Sequence, residues 1–317
     1  MTRWTADDVP ALDGEVVVVT GANSGLGFEG TKLFAEAGAT VVMACRSTRR
    51  GETAADEIRA ATPGVDLDVR ECDLADLDSV AAFAGGLRAD YDTVDVLCNN
   101  AGVMAIPRRE TTDGFEMQLG VNHFGHFALT GRLLPRLVTG DGEARVVTQS
   151  SGAHEQGEVD FSDLDSEESY SKWAAYSQSK LANLLFAYEL DRRLGEHDLP
   201  VVSVACHPGW AATNLQLRTG EESGFPLGKL GMRLLNKLFA QSADRGALPM
   251  VYAATADDLD GGEYVGPDGF RQMRGYPEVQ ESSPASYDEA DARRLWELST
   301  ERTGVTYPFA DLAPAAD

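Results

Sequence analysis

The stretch Glu15-Val16-Val17-Val18-Val19-Thr20-Gly21-Ala22-Asn23-Ser24-Gly25-Leu26-Gly27 decides the fold. Four consecutive valines bounded by glycine read as a strand buried on both faces. From Leu26 the apolar spacing turns helical and runs to Gly38, a residue suited to ending a helix. A buried strand passing through a glycine turn into a helix is the opening unit of a doubly wound α/β fold. Glycines there let the backbone approach a ligand and leave helix N-terminal amides free to bind phosphate. The spacing is G-x-x-x-G-x-G, not the commoner G-x-G-x-x-G, and tight-turn chemistry alone also accounts for such a run.

Outward from this unit, short apolar runs predict strands over 40–45, 66–71, 94–99, 144–149, 200–206 and 262–265. Longer runs of helical period lie over 26–37, 50–61, 76–89, 112–138, 173–194 and 244–256. Such alternation predicts a parallel sheet covered on both faces, doubly wound by right-handed crossovers. No linker or repeat divides the chain, so residues 1–317 read as a single domain. Two segments break the rhythm. Residues 152–172 are polar and acidic and predict a surface insertion. Residues 216–241 are rich in glycine and leucine, and read either as part of a substrate lid (about 210–241) or as one more core helix. The polar C-terminal extension (about 272–317) contains a predicted helix over 289–298 and suggests no function.

Charge narrows the partners. There are 51 acidic residues against 27 basic ones, a formal net charge of -24. Such an excess repels nucleic acid and anionic membrane. It also strains the compact state unless salt screens it. With lysine confined to Lys32, Lys172, Lys180, Lys229 and Lys237, the composition points to a halophilic archaeon. Cys45, Cys72, Cys98 and Cys206 form no C-x-x-C pair and fit reduced thiols in a cytoplasm. The start of the chain has neither the basic nor the apolar part of a signal peptide, and no apolar run is long enough to span a membrane. A cytoplasmic protein is expected.

Several residues carry chemistry. Arg46 follows the second predicted strand, where folds that bind NAD often place an acid for the ribose 2′-hydroxyl. A guanidinium there suits a 2′-phosphate instead, and so favours NADP(H), with NAD(H) second. Tyr176 and Lys180 lie four apart on one face of a predicted helix. An ammonium beside a phenol lowers the phenol's pKa toward a working range. Ser150-Ser151 ends the fifth strand, where a hydroxyl can bond a substrate carbonyl. Asn99-Asn100-Ala101-Gly102 ends the fourth and His207-Pro208-Gly209 the sixth. Each motif alone is ordinary, but all fall at the carboxyl ends of strands, where doubly wound sheets bind ligands. His123, His126 and His207 form no recognised ligand set, so packing or hydrogen-bonding roles are expected and no metal.

On these motifs, which run from Thr20 to Thr213, the chain resembles the short-chain dehydrogenase/reductase family. The resemblance implies a Rossmann-type domain with a seven-stranded parallel sheet. It implies that Gly21, Asn23, Ser24, Gly25, Leu26 and Gly27 form the pyrophosphate turn. Asp73 and Leu74 would flank the adenine, and Asn100, Ala101 and Gly102 would lie under the adenosine. Ser151 would orient the substrate carbonyl, Tyr176 would exchange the proton, and Lys180 would bind the nicotinamide ribose and lower the Tyr176 pKa. Asn122 would hold a water linking Lys180 to solvent, and Pro208, Gly209 and Thr213 would contact the nicotinamide end. The 25 positions from Ser151 to Tyr176, with the wording of residues 20–27, 45–46, 122–127 and 207–209, resemble the retinol-dehydrogenase-like branch. That branch implies NADP(H), a small aldehyde, ketone or retinoid-like substrate, and in some members reduction of a carbon–carbon double bond. The family implies a homodimer or homotetramer through the helices bearing Asn122 and Tyr176, although the branch also has monomers. A non-catalytic NADP(H)-binding sensor is the alternative from a different class.

Overall fold

The computed structural model describes residues 3–140, 142–209 and 242–314. Its strands are β1 (Val16–Thr20), β2 (Thr40–Cys45), β3 (Asp66–Glu71), β4 (Val96–Asn99), β5 (Ala144–Gln149), β6 (Val201–Cys206), β7 (Tyr264–Pro267) and β8 (Pro277–Gln280). The helices are α1 (Gly25–Glu36), α2 (Thr48–Ala61), α3 (Leu77–Asp90), α4 (Met117–Leu119), α5 (Gly125–Leu137), α6 (Lys172–Glu196), α7 (Ala243–Thr255), α8 (Glu289–Thr303) and α9 (Phe309–Leu312). The strands form one sheet in the order β3-β2-β1-β4-β5-β6-β7-β8. The order reverses between β1 and β4, which opens the crevice where ligands bind in such sheets.

The four valines of β1 show why the sheet is covered twice. Val17 and Val19 pack with Phe34 of α1 and Met250 of α7. Val16 and Val18 face the other way, into a cluster with Phe127 and Leu133 of α5 and Phe186 of α6. Alternation along a strand sends neighbours to opposite faces, so an unbroken apolar run needs a helical layer on each side.

The sheet has one strand more than expected. Seven strands are parallel, and β8 adds an antiparallel edge, pairing Tyr264 with Gln280 and Pro267 with Pro277. It comes from the polar C-terminal extension. Its four residues are too few and too polar to announce a strand, and Val279 stays 47% exposed at the sheet's rim.

The helix predicted over 112–138 begins later and is not uniform. Glu116 caps it, its carboxylate accepting from the backbone N–H groups of Gln118 and Leu119. Between α4 and α5 the chain makes a π-helical segment (Gly120–Phe124) containing Asn122. A π-bulge of this kind often marks a functional position. The predicted surface insertion over 152–172 is in part a packing element. It opens with a short helical turn (Gly152–Gln156), and Val159 and Leu164 are buried against Leu181 and Leu185 of α6.

The extension closes the core. Trp296 of α8 meets Phe127 edge-on at 5.1 Å and stacks on Phe186 at 5.9 Å. Val305 and Phe309 join the same cluster, and Tyr307 donates to the Phe127 carbonyl at 2.7 Å. α8 is capped by Asp288 and stops at Gly304, whose φ of 66° few other residues adopt. α8 and the segment after it thus lie on α5 and α6, where the resemblance placed a subunit contact. The lid region lies outside the described residues.

Candidate active site

The Thr20 hydroxyl joins the turn after β1 to the end of β4. Thr20 Oγ1 accepts from the backbone N–H groups of Asn100 and Ala101, both at 2.9 Å, and lies 2.9 Å from His126 Nε2. The Asn100 side chain returns the contact by donating to the Thr20 carbonyl at 2.8 Å. His126 Nδ1 sits 3.0 Å from the Asn122 carbonyl, which can only accept, so Nδ1 carries the proton. Burial pushes the His126 pKa down to about 4, which leaves the ring neutral. Nε2 is then an acceptor, and the Thr20 hydroxyl donates to it.

The glycines of the turn are needed for two reasons. Gly21 has a φ of 69°, in the left-handed region that a side chain disfavours. A Cβ on Gly27 would stand 2.4 Å from the Gly21 carbonyl oxygen and 2.6 Å from Asn100 Nδ2. Gly25 begins α1, and Ser24 before it does not cap the helix with its side chain. Asn23 is half-buried and Leu26 lies in the first turn. This is a cradle of the shape and polarity that suits a pyrophosphate at a helix N-terminus.

Arg46 stands exposed just beyond the end of β2. Asp73 accepts from the Ala75 N–H at 3.0 Å, and Leu74 packs on Gly125 at the start of α5. Gly102 faces the catalytic candidates: a Cβ there would lie 3.0 Å from Asn122 Oδ1 and 3.7 Å from Lys180 Nζ. Asn122 is held by its side chain, accepting from the Val103 N–H at 2.8 Å and donating to Ser179 Oγ at 2.9 Å.

The two serines after β5 do different things. Ser150 donates to the Lys180 carbonyl at 2.8 Å, a contact internal to the scaffold. Ser151 caps the turn over 152–156 and hydrogen-bonds the Tyr176 phenol. Tyr176 and Lys180 are both buried on α6.

The expected lowering of the Tyr176 pKa by Lys180 is not found. Burial pushes the phenol up, and the Ser151 hydrogen bond opposes that rise. Lys180 Nζ donates to the Gln149 carbonyl at 3.0 Å and lies 5.9 Å from the Tyr176 ring centroid. Burial brings the Lys180 pKa down to about 8. Burial is the largest influence on both groups, and neither acts on the other as the four-residue spacing suggested.

Three histidines whose pKa values burial lowers brace the site. Besides His126, His154 Nδ1 donates to the Ser151 carbonyl at 2.7 Å while its Nε2 accepts from the Ser283 N–H at 3.1 Å. His207 Nδ1 accepts from the Gly209 N–H at 3.2 Å, and its Nε2 donates to Gln280 Oε1 at 3.2 Å. Both tie a strand-end loop to the extension. His154 gave no sequence signal, since it sits alone in a polar stretch. Pro208 and Gly209 follow β6, and Gly209 has a φ of 62°. Thr213 lies outside the described residues.

A glycine cradle, a switch-point crevice and a Ser–Tyr–Lys group now share one edge of the sheet. The short-chain dehydrogenase family profile matches residues 15–223. The chain belongs to this family. Human retinol dehydrogenase 12 is 41% identical over 300 residues, which covers 93% of this chain and 88% of the relative. A solved but uncharacterised protein of Mycobacterium paratuberculosis is 44% identical, with a TM-score of 0.79, covering 97% of this chain and 100% of its own. A structure from Beutenbergia cavernae, described as an NAD(P)-dependent gluconate 5-dehydrogenase with bound NADP, is 26% identical. Its TM-score is 0.61, with 80% of this chain and 95% of that chain covered. Membership makes this short-chain dehydrogenase an oxidoreductase. Among the described residues no helix is long and apolar enough to cross a membrane.

Proposed function

We propose that this short-chain dehydrogenase uses NADP(H) to interconvert a carbonyl and an alcohol, with Tyr176 as general acid and base. The observation that carries the reading is the half-buried Ser151 hydroxyl facing the buried Tyr176 phenol, beside Lys180 and Gly102 at the strand ends. The cradle from Gly21 to Gly27 would hold the pyrophosphate. Asp73 and Leu74 would flank the adenine, with Asn100, Ala101 and Gly102 beneath the adenosine. Pro208, Gly209 and Thr213 would meet the nicotinamide end, and Arg46 the 2′-phosphate. A nicotinamide bound there supplies or takes up the hydride.

The chain's own part is to handle one proton. Ser151 donates to the substrate oxygen and orients it. Tyr176 keeps its proton on the phenol oxygen at neutral pH, because burial disfavours the phenolate. In reduction it gives that proton to the oxygen as negative charge builds there. In oxidation it takes the proton back. Lys180 would hold the ribose and stabilise the phenolate when it forms, and Asn122 would hold the water through which Lys180 reaches solvent.

The relatives are retinol dehydrogenases, which supports a retinoid-like substrate; a small aldehyde or ketone is the wider reading. A cytoplasmic location in a halophile is part of the same reading, argued from the charge. A homodimer or homotetramer has to use surfaces other than the parts of α5 and α6 covered by α8. The test is oxidation of NADPH and of NADH over a panel of aldehydes and ketones that includes retinal. Preferred turnover of NADPH is expected, with Tyr176→Phe slower by roughly 10²–10⁴-fold. Near wild-type turnover by Tyr176→Phe would remove Tyr176 from the chemistry. NADPH binding without turnover would favour the sensor, and activity on an enone but not its ketone would favour double-bond reduction.

A further inference from the structure

A second concave site lies at the carboxyl end of β7, beside the Gly209 turn, where a Cβ on Gly209 would meet Pro267 and Met273. It is a cavity of about 550 Å³ lined by Arg3, Arg245, Arg274, Tyr276, Phe270 and Asp268. In a chain of net charge -24, three guanidiniums around one carboxylate are a local reversal of sign. Asp268 is already engaged, since it accepts from the Tyr276 N–H at 2.8 Å. Among the described residues none of the three arginines has a carboxylate within ion-pair distance.

The arginines are also pre-arranged. Arg3 and Arg245 both lie over the Tyr276 ring, at 5.0 and 5.7 Å from its centroid. Holding like charges on one ring costs repulsion, which an anion between them relieves. Ser242, at the start of α7, also lines the cavity and does not cap the helix with its side chain. The positive end of a thirteen-residue helix therefore faces the same space. Phe270, 73% exposed, adds an apolar rim.

We propose that this cavity binds a phosphate dianion, either free or as the monoester of a small organic molecule. Guanidiniums recognise phosphate oxygens in pairs, and the Tyr276 and Phe270 rings offer a surface to an organic group. The cavity is not the 2′-phosphate site. Arg46 ends β2 and this cavity adjoins the end of β7, five strand spacings away, or roughly 24 Å.

The experiment is calorimetric titration of the full chain, saturated with NADP⁺, with inorganic phosphate and separately with phenyl phosphate. Ionic strength is held constant with KCl. Saturable one-to-one binding is expected, weakened about tenfold or more by Arg245→Ala or Arg274→Ala. Tighter binding of phenyl phosphate assigns the site to a monoester, and equal binding to free phosphate. Thermal melts of both variants check folding, and Arg274→Lys, which keeps the charge, should lose less than Arg274→Ala. Absence of saturable binding would overturn the proposal, as would binding by folded Arg245→Ala and Arg274→Ala at wild-type affinity.

Discussion

Thr20 Oγ1 and His126 Nε2 lie 2.9 Å apart and join the turn after β1 to the helix that follows Asn122. The same hydroxyl receives the Asn100 and Ala101 amides, so with the Asn100 side chain it sets the spacing between the glycine cradle and the β4 end.

Thr20→Val should therefore do more than remove a methyl-sized polar atom. The half-buried Ala101 amide loses its acceptor, at about 1–3 kcal/mol, while the Asn100 amide keeps the Cys98 carbonyl at 2.9 Å. Urea unfolding should show that loss of stability, and the KM for the nicotinamide cofactor should rise more than kcat falls. Thr20→Ser keeps the oxygen and should recover most of both. Wild-type stability in Thr20→Val would show that the hydroxyl is not the joint described.

Acid should unfold the protein earlier than its carboxylates require. Burial lowers His123 to about 3, and His126 and His207 to about 4, against 6.5 for the unfolded chain. Below 6.5 the unfolded chain binds protons that the folded one refuses. Their contribution is complete above pH 6.5 and is lost as pH falls toward 4, on the order of 3 kcal/mol for His126 alone. Asp191, raised to about 6 by burial, works in the opposite sense below that pH. Proton uptake on unfolding at pH 6, measured by calorimetry in two buffers, should be positive; zero uptake would contradict neutral buried histidines.

Arg46→Asp should change cofactor choice without touching the fold, because the side chain is exposed. The ratio of kcat/KM for NADPH over NADH should drop about tenfold to a hundredfold. An unchanged ratio would move the 2′-phosphate contact elsewhere.

The acidic excess predicts a response to salt. Screening relieves repulsion among 51 carboxylates, so Tm and activity should climb with KCl toward molar concentrations. A maximum at low salt followed by decline would rule out the halophilic reading.

Much of the architecture was legible because its signals are local. The valine run, the glycine turn and the later strands from β2 to β6 each announce themselves within a few residues, and their boundaries agree to within two. β8 was not legible, since a short polar edge strand is fixed by its partner β7 and not by its own pattern. The π segment was hidden because one extra residue in a turn leaves the apolar period of a helix nearly intact. The spacing of Tyr176 and Lys180 was readable. Their electrostatics were not, because burial and the Gln149 carbonyl are tertiary facts. The bracing by His154 was beyond reach for the same reason: its partner Ser283 is 129 residues away.

The extension has a consequence for the order in which the protein can be made. Trp296, Val305 and Phe309 are synthesised long after Val16 and Val18, yet they complete the same cluster. His154 and His207 wait for Ser283 and Gln280 in the same way. Until residues 280–309 have been made, a nascent chain carries the apolar face of α5 and α6 bare, and the strand-end loops lack two of their anchors. Such a chain is exposed to aggregation and proteolysis until the segment over 280–309 can dock. A chain stopped at residue 280 should be degraded or insoluble, even though every residue of the Ser151–Tyr176–Lys180 group is already in place.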